Sequence, residues 1–344
     1  VGRRMKKVLL IQTGGTIAMQ AQLDGVVLDP DHWSDQLYKQ TPTLNEIADI
    51  DVETLFFEDS SDLHPYHWDL LLRLIQNKYN KYDGFVILHG TDTMAYTASA
   101  LSFGIESLDK PIILTGSQVP LSRIRSDAQR NMINSVEIAT SDLPEVAICF
   151  NDHVYRGNRA TKMSIGDFDA FATPNYPTLA DIDLNIDFHR NNWRSVAHGK
   201  SNKATSFYTG FSGNIFVLTI HPGFQTNQLE SILLENIDAL LIRAYGSGNF
   251  PIKDHYSWIP FLRRCKEKNI ITVITSQANH DAVNLKNYAA GRIGLDLGVL
   301  SSADMTLEAC VTKLMWLISA YQDNDESNLQ IAQRFQENLR GERS

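Results

Sequence analysis

Short apolar runs alternate along the chain with stretches of helical length that mix apolar and polar positions. The runs Val8 to Gln12, Val52 to Phe57, Phe85 to Leu88, Pro111 to Leu114 and Val146 to Phe150 read as strands, and the stretches near Pro65 to Tyr79, Thr93 to Ile105 and Asp127 to Ala139 read as helices. That order predicts right-handed βαβ crossovers, and hence an α/β fold whose sheet is mostly parallel and flanked by helices. From about Asn191 to Gly213 the chain is polar, rich in Asn, Ser and Lys, and has neither period, so it reads as a connection. Beyond it Ile215 to Thr219, Ala239 to Ile242 and Ile270 to Ile274 alternate again with helices. With 344 residues the chain exceeds what one core usually supports. The expected organisation is a larger N-terminal α/β domain over 1–190, a connection over 191–213, and a smaller C-terminal α/β domain over 214–344. The ending from about Asp323 reads as a surface helix with a frayed tail.

Composition narrows the class. Apolar residues make up 43% and charged residues 21%, as in an ordinary globular protein, and the net charge is -9. No Lys/Arg cluster offsets that charge, which weighs against nucleic acid as a partner. The first seven residues are basic, but the apolar run after them spans only Val8 to Ile11, too short for a signal peptide or a membrane span. Cys149, Cys265 and Cys310 are few, distant and outside any CxxC pairing, which suits reduced core thiols in a cytoplasm.

In an open parallel sheet the loops leaving the carboxyl ends of the strands converge on one crevice. Here those loops are rich in hydroxyls: Thr13 Gly14 Gly15 Thr16 after the first run, Asp59 Ser60 Ser61 Asp62 after the second, and His89 Gly90 Thr91 Asp92 Thr93 after the third. Each has an ordinary reading by itself. Thr13 to Thr16 is a strand-ending turn, Asp92 an N-cap for the helix near Thr93, and Lys162 a solvated charge. In combination they read differently, because a threonine nucleophile needs a base and a lysine desolvated in a crevice can accept a proton. Nucleotide-binding motifs of the GxGxxG or GxxxxGK[ST] kind are missing, and Gly116 Ser117 Gln118 lacks the second glycine of a nucleophile elbow. His64 and His67 flank Pro65 and read as a helix start and not a metal site, and neither a metal nor a cofactor is expected.

The segments TGGTIA at Thr13 to Ala18, DSSD at Asp59 to Asp62, VILHGTDTMAYTASAL at Val86 to Leu101 and YRGNRATK at Tyr155 to Lys162 together resemble bacterial L-asparaginase of the cytoplasmic type I class. IRAYGSGN at Ile242 to Asn249 and SADMTLEACVTKL at Ser302 to Leu314 are similar to that class as well, so the resemblance runs from Lys6 onward. It implies a cytoplasmic homodimer or homotetramer that hydrolyses L-asparagine. It also implies Thr13 as nucleophile and Thr91, Asp92 and Lys162 as a second catalytic group in which Lys162 takes a proton from Thr91. Ser60 and Ser61 would hold the substrate α-carboxylate and Asp92 its α-ammonium, with amides of the Gly14 and Gly90 to Thr91 turns as oxyanion donors. Thr13, Thr91 and Lys162 are expected at exposed crevice positions. By the same resemblance, Thr161 and Arg243 would bind a second, regulatory asparagine, against the alternative of an ordinary ion pair for Arg243.

Other readings are a glutaminase or other amidase of the same fold, and a non-catalytic amino-acid-binding protein using the same crevice. An amidotransferase subunit would add an N-terminal domain and a lysophospholipase would add repeats, and neither is expected here. The resemblance departs at one place: relatives carry a tyrosine in the mobile loop after TGGTI, whereas Ala18 to Asp29 contains none and Val26 falls in its place. If that loop takes part in the chemistry, Val26→Tyr changes kcat more than KM in steady-state assays. An unchanged kcat would show that the hydroxyl is supplied elsewhere.

Overall fold

The five apolar runs of the N-terminal half become strands of one sheet: β1 (Lys7–Gly14), β2 (Asp49–Glu58), β3 (Gly84–Leu88), β4 (Ile112–Thr115) and β5 (Val146–Phe150). In the computed structural model, which describes residues 4–22, 25–28, 39, 41–194, 204–229, 237–321 and 327–344, they lie in the order β2-β1-β3-β4-β5, each pair parallel. All of β3, β4 and β5 is buried, as is β1 beyond Lys7. A strand covered on both faces has no polar side to show, hence the unbroken apolar runs. β2, at the edge, mixes exposed and half-buried positions, and its polar first residues Asp49 and Asp51 pair in register with Lys7 and Leu9.

Among the described residues three longer helices connect these strands, α1 (Pro65–Lys78), α2 (Met94–Gly104) and α3 (Ala128–Ala139), besides the single turn Leu44–Ile47 between β1 and β2. In α1 the buried positions Trp68, Leu71, Leu72 and Ile75 form one stripe, as a surface helix requires. Nearly all of α2 is buried, so it carries no polar face. Met132 and Val136 of α3 pack with Val8, Leu10, Val86 and Ile113 in the core of this half.

Two features escaped the hydrophobic pattern. After β5 the chain reverses at Asn151 and Asp152, with Asn151 at φ +53°, into β6 (His153–Arg156), which pairs antiparallel with β5. β7 (Ala180–Ile182) and β8 (Ile186–Phe188) extend the sheet antiparallel beyond it. Strands of three or four residues are too short to display a period. Similarly, the segment expected to connect the halves contains Ser206–Phe207, paired with Ile105–Glu106. That pair belongs to the first of two units, which divide between Thr209 and Gly210.

Among the described residues the second unit has four parallel strands in sequence order: β9 (Ile215–Thr219), β10 (Ala239–Ala244), β11 (Ile271–Ser276) and β12 (Leu300–Ser301). Its core gathers Leu240, Ile242, Trp258, Phe261 and Ile274. Cys149, Cys265 and Cys310 are free and buried.

The ending departs from the frayed tail expected for it. After α4 (Leu307–Tyr321) and α5 (Ser327–Gln336), the buried Glu342 carboxylate pairs with the buried Lys313 ammonium of α4. Lys313 Nζ also donates to the carbonyls of Phe335 at 2.8 Å and Glu337 at 2.6 Å, and the amides of Leu339 and Arg340 donate to Glu342. Within that polar ending, the Glu342 carboxylate and the Glu337 carbonyl are partners of one buried charge. Burial raises the Glu342 carboxyl, but Lys313 and the two amides outweigh it and hold the group below the ordinary carboxylate range. A depressed carboxylate stabilises the fold at neutral pH, and that contribution is lost as pH falls through its titration. Glu342→Gln, which strands the Lys313 charge, is expected to cost about 3–5 kcal/mol in denaturant unfolding. A loss below about 1 kcal/mol would mean that the tail is not anchored by this pair.

Candidate active site

The strand order β2-β1-β3-β4-β5 reverses direction between β1 and β3. At such a switch point the loops from the two central strands lead to opposite sides, opening a crevice at their carboxyl ends. The loops that meet there are held by backbone contact. Gly15, at φ +82°, has no room for a side chain: a Cβ would lie 2.4 Å from the Gly90 nitrogen. A Cβ on Gly90 would lie 2.5 Å from Ser60 Oγ. The Gly15 amide also donates to the Glu58 carbonyl at 3.1 Å. Turns leaving β1, β2 and β3 thus touch one another at two glycines, and the hydroxyls they carry are brought to one rim.

Thr13 is buried at the end of β1, and its hydroxyl donates to the Leu88 carbonyl of β3 at 2.7 Å. Its own amide donates to Gln12 Oε1 at 3.2 Å. Thr91 is also buried. Its hydroxyl accepts from Lys162 Nζ at 2.8 Å and donates to Gln118 Oε1 at 3.4 Å. Lys162 Nζ makes a second bond, 2.6 Å long, to Asp92 Oδ1. The expectation of exposed crevice positions is therefore corrected for Thr13 and Thr91, because loops packed on glycine leave little space around them. Asp92, by contrast, is 64% exposed, which leaves its carboxylate open to a second partner.

The N-cap reading of Asp92 does not describe its contacts. Thr93 occupies the cap position of α2 and gives its hydroxyl to the Ser60 carbonyl at 2.7 Å, tying the β3 loop to the β2 loop. Ser60 is buried, whereas Ser61 is exposed and bonds back to Asp59 Oδ1 through its amide and its hydroxyl, each at 2.8 Å.

Lys162 arrives from the antiparallel extension. Arg156, at the end of β6, forms a bidentate pair with Glu145 (Nε to Oε2 2.7 Å, Nη2 to Oε1 2.8 Å), both side chains being buried. The turn Gly157–Arg159 follows, and Thr161–Lys162 then pairs with Phe171–Ala172.

Gln118 escaped the sequence reading. Its Nε2 donates to the carbonyls of Ser164 at 3.4 Å and Asp167 at 3.0 Å, so one side chain links Thr91 to the loop after Lys162. The signal for it is that Gly116 Ser117 Gln118 leaves the carboxyl end of β4, on the same rim as the hydroxyl loops.

His67 Nδ1 accepts from the His64 amide at 3.2 Å, and the His67 amide donates to the His64 carbonyl at 2.9 Å, the contacts of a helix start. Among the described residues no three His, Cys, Asp or Glu side chains are arranged to hold a metal ion. Thr161 lies in the first unit beside Lys162, and Arg243 lies in β10 of the second.

Comparison with known proteins finds matches over both units. Residues 7–194 match the family model "Asparaginase, N-terminal", and residues 214–329 match "Glutaminase/Asparaginase C-terminal domain". The chain is 39% identical to L-asparaginase 1 of Escherichia coli over 341 residues, 98% of each protein. It is 31% identical to L-asparaginase of Thermococcus kodakarensis, again over 98% of each. The crystal structure of L-asparaginase I from Vibrio cholerae superposes with a TM-score of 0.88 at 35% identity, covering 99% of each chain. A carboxyl-end rim of threonines, one of them bonded to a lysine that is itself bonded to an aspartate, therefore sits in a chain that belongs to the asparaginase family.

Proposed function

We propose that this protein is an L-asparaginase that hydrolyses L-asparagine to L-aspartate and ammonia. The observation that carries the reading is the bonded set Thr91, Lys162 and Asp92 on the rim that also holds the Thr13 hydroxyl. Thr13 Oγ attacks the side-chain amide carbon of asparagine, and the displaced π electrons collect on the carbonyl oxygen. Amides of the Gly14 and Gly90 to Thr91 turns stabilise that charge, an effect worth roughly 3–4 kcal/mol per donor. Collapse breaks the C–N bond, ammonia leaves with the proton lost by Thr13, and a β-aspartyl ester remains. Water then attacks the ester, the C–O bond to Thr13 breaks, and aspartate departs as the threonine regains a proton. The 2.8 Å contact between Lys162 and Thr91 is the path along which a proton passes between the two side chains during turnover.

Ser60 and Ser61 hold the substrate α-carboxylate, and the open side of Asp92 takes the α-ammonium. In this reading no metal or cofactor takes part, and the protein works as a cytoplasmic homodimer or homotetramer. Among the described residues no helix is long and apolar enough to cross a membrane.

Ammonia release from asparagine and from glutamine, measured side by side, separates this reading from a glutaminase and from a non-catalytic amino-acid-binding protein. Thr13→Ala, Thr91→Ala and Lys162→Met are each expected to lower kcat by at least about 100-fold. Thr13→Ala also removes a buried hydrogen bond, at a cost of about 1 kcal/mol in stability. Full activity in Lys162→Met would remove the second catalytic group from the mechanism.

We also propose a second asparagine site using Thr161 and Arg243. Arginine can clamp a carboxylate through two parallel hydrogen bonds, which lysine cannot reproduce. Thr161 adjoins Lys162 in the chain, so a ligand that shifts one moves the amine of the other. Regulation needs two states that bind asparagine differently at this site. The expected result is a sigmoidal rate curve against asparagine that becomes hyperbolic in Arg243→Lys. A hyperbolic wild-type curve that the substitution leaves unchanged rules the site out.

A further inference from the structure

His89 lies on the chain between β3 and the catalytic turn, yet no step above uses it. Its ring is fully buried, with Nδ1 2.7 Å from the Gly90 carbonyl oxygen and Nε2 2.8 Å from Thr97 Oγ1 in α2. Thr97 Oγ1 in turn accepts from Trp68 Nε1 of α1 at 3.1 Å. The direction of this relay follows from what each group is able to do. An indole N–H only donates and a carbonyl oxygen only accepts. The Gly90 carbonyl therefore requires the proton on Nδ1, and Thr97, which already accepts from Trp68, has its own proton to give to Nε2. Hydrogen bonds run one way, from Trp68 through Thr97 and His89 to Gly90, and they select one neutral tautomer. Burial favours the same neutral state, pushing the His89 pKa down to about 4.

The last bond bears on the catalytic turn. A trans peptide directs its C=O and its N–H to opposite sides. With the Gly90 carbonyl held against the buried ring, the Thr91 N–H faces away from that ring. Gly90 cannot be fixed by a side chain of its own, because Ser60 and Gly15 occupy the space a Cβ would need.

We propose that His89 is a positioning residue: in its Nδ1-protonated form it holds the Gly90 to Thr91 peptide in one orientation, presenting the Thr91 N–H to the developing oxyanion and the Thr91 hydroxyl to Lys162. The kinetic consequence rests on the asparaginase reading, whereas the tautomer does not.

The test uses the full-length protein. His89→Leu removes the donor to Gly90, and His89→Asn keeps an N–H near the position of Nδ1. For the leucine variant kcat is expected to fall on the order of 100-fold with KM within about threefold, since misplacing a donor affects the transition state more than substrate binding. The asparagine variant is expected to recover at least about tenfold of that loss. In the wild type, 15N NMR of labelled histidine at pH 7 is expected to show His89 protonated at Nδ1 only. Protonation at Nε2, a kcat for folded His89→Leu within about threefold of wild type, or an asparagine variant no better than leucine would each overturn the proposal. If the leucine variant does not fold, the wild-type tautomer and the asparagine variant decide. A wild type inactive on asparagine but carrying the Nδ1 proton would refute the asparaginase reading while supporting the tether.

Discussion

The rest of the site depends on a backbone approach too close for any side chain. Gly15 lies against the Gly90 amide, and Gly90 lies against Ser60, each at a distance where an added Cβ would overlap its neighbour. Parallel strands stand about 4.8 Å apart, so the loops leaving three adjacent strands would ordinarily be spread by their own side chains. Removing the side chain at two points lets the turns close onto one another. Thr13, Thr91 and Ser60 are buried as a result and not exposed on a rim.

Burying hydroxyls is costly unless each finds a partner, and the partners found here also define the chemistry. Thr13 gives its proton to a strand carbonyl, which leaves its lone pairs directed elsewhere. Thr91 lies between a lysine that donates to it and a glutamine that accepts from it. Lys162 also answers to Asp92, whose exposure keeps the other half of that carboxylate available. None of these contacts is local in sequence. Lys162 reaches Thr91 because the chain reverses after β5 and is anchored by the buried Arg156–Glu145 pair before it turns toward the rim.

The second unit shows the same economy of buried charge. Its last residues are polar, yet they end on a lysine buried in α4, where backbone carbonyls and one carboxylate complete its coordination by hydrogen bonds. Such a tail is indistinguishable from a solvated one by composition. What separates the two is a single internal lysine, and Lys313 sits in a helix whose sequence shows nothing unusual.

The sequence by itself determined the strands that are buried on both faces, since only continuous apolar runs satisfy that position, and the helices long enough to show a period. The sheet order was not legible, yet the hydroxyl loops were correctly assigned to carboxyl ends, because that assignment needs only the alternation of strand and helix. The motifs at Thr13, Ser60, Thr91 and Lys162 were legible as a family pattern. Tertiary structure alone decided the rest. Short antiparallel strands such as His153–Arg156 are specified by a turn and a neighbour and not by a period. Gln118 and His89 acquire their roles from partners 27 and 8 residues away, Thr91 and Thr97. Hydrogen bonds between residues far apart in the chain leave no periodic trace, since their partners are chosen by the packing of helices and loops in three dimensions.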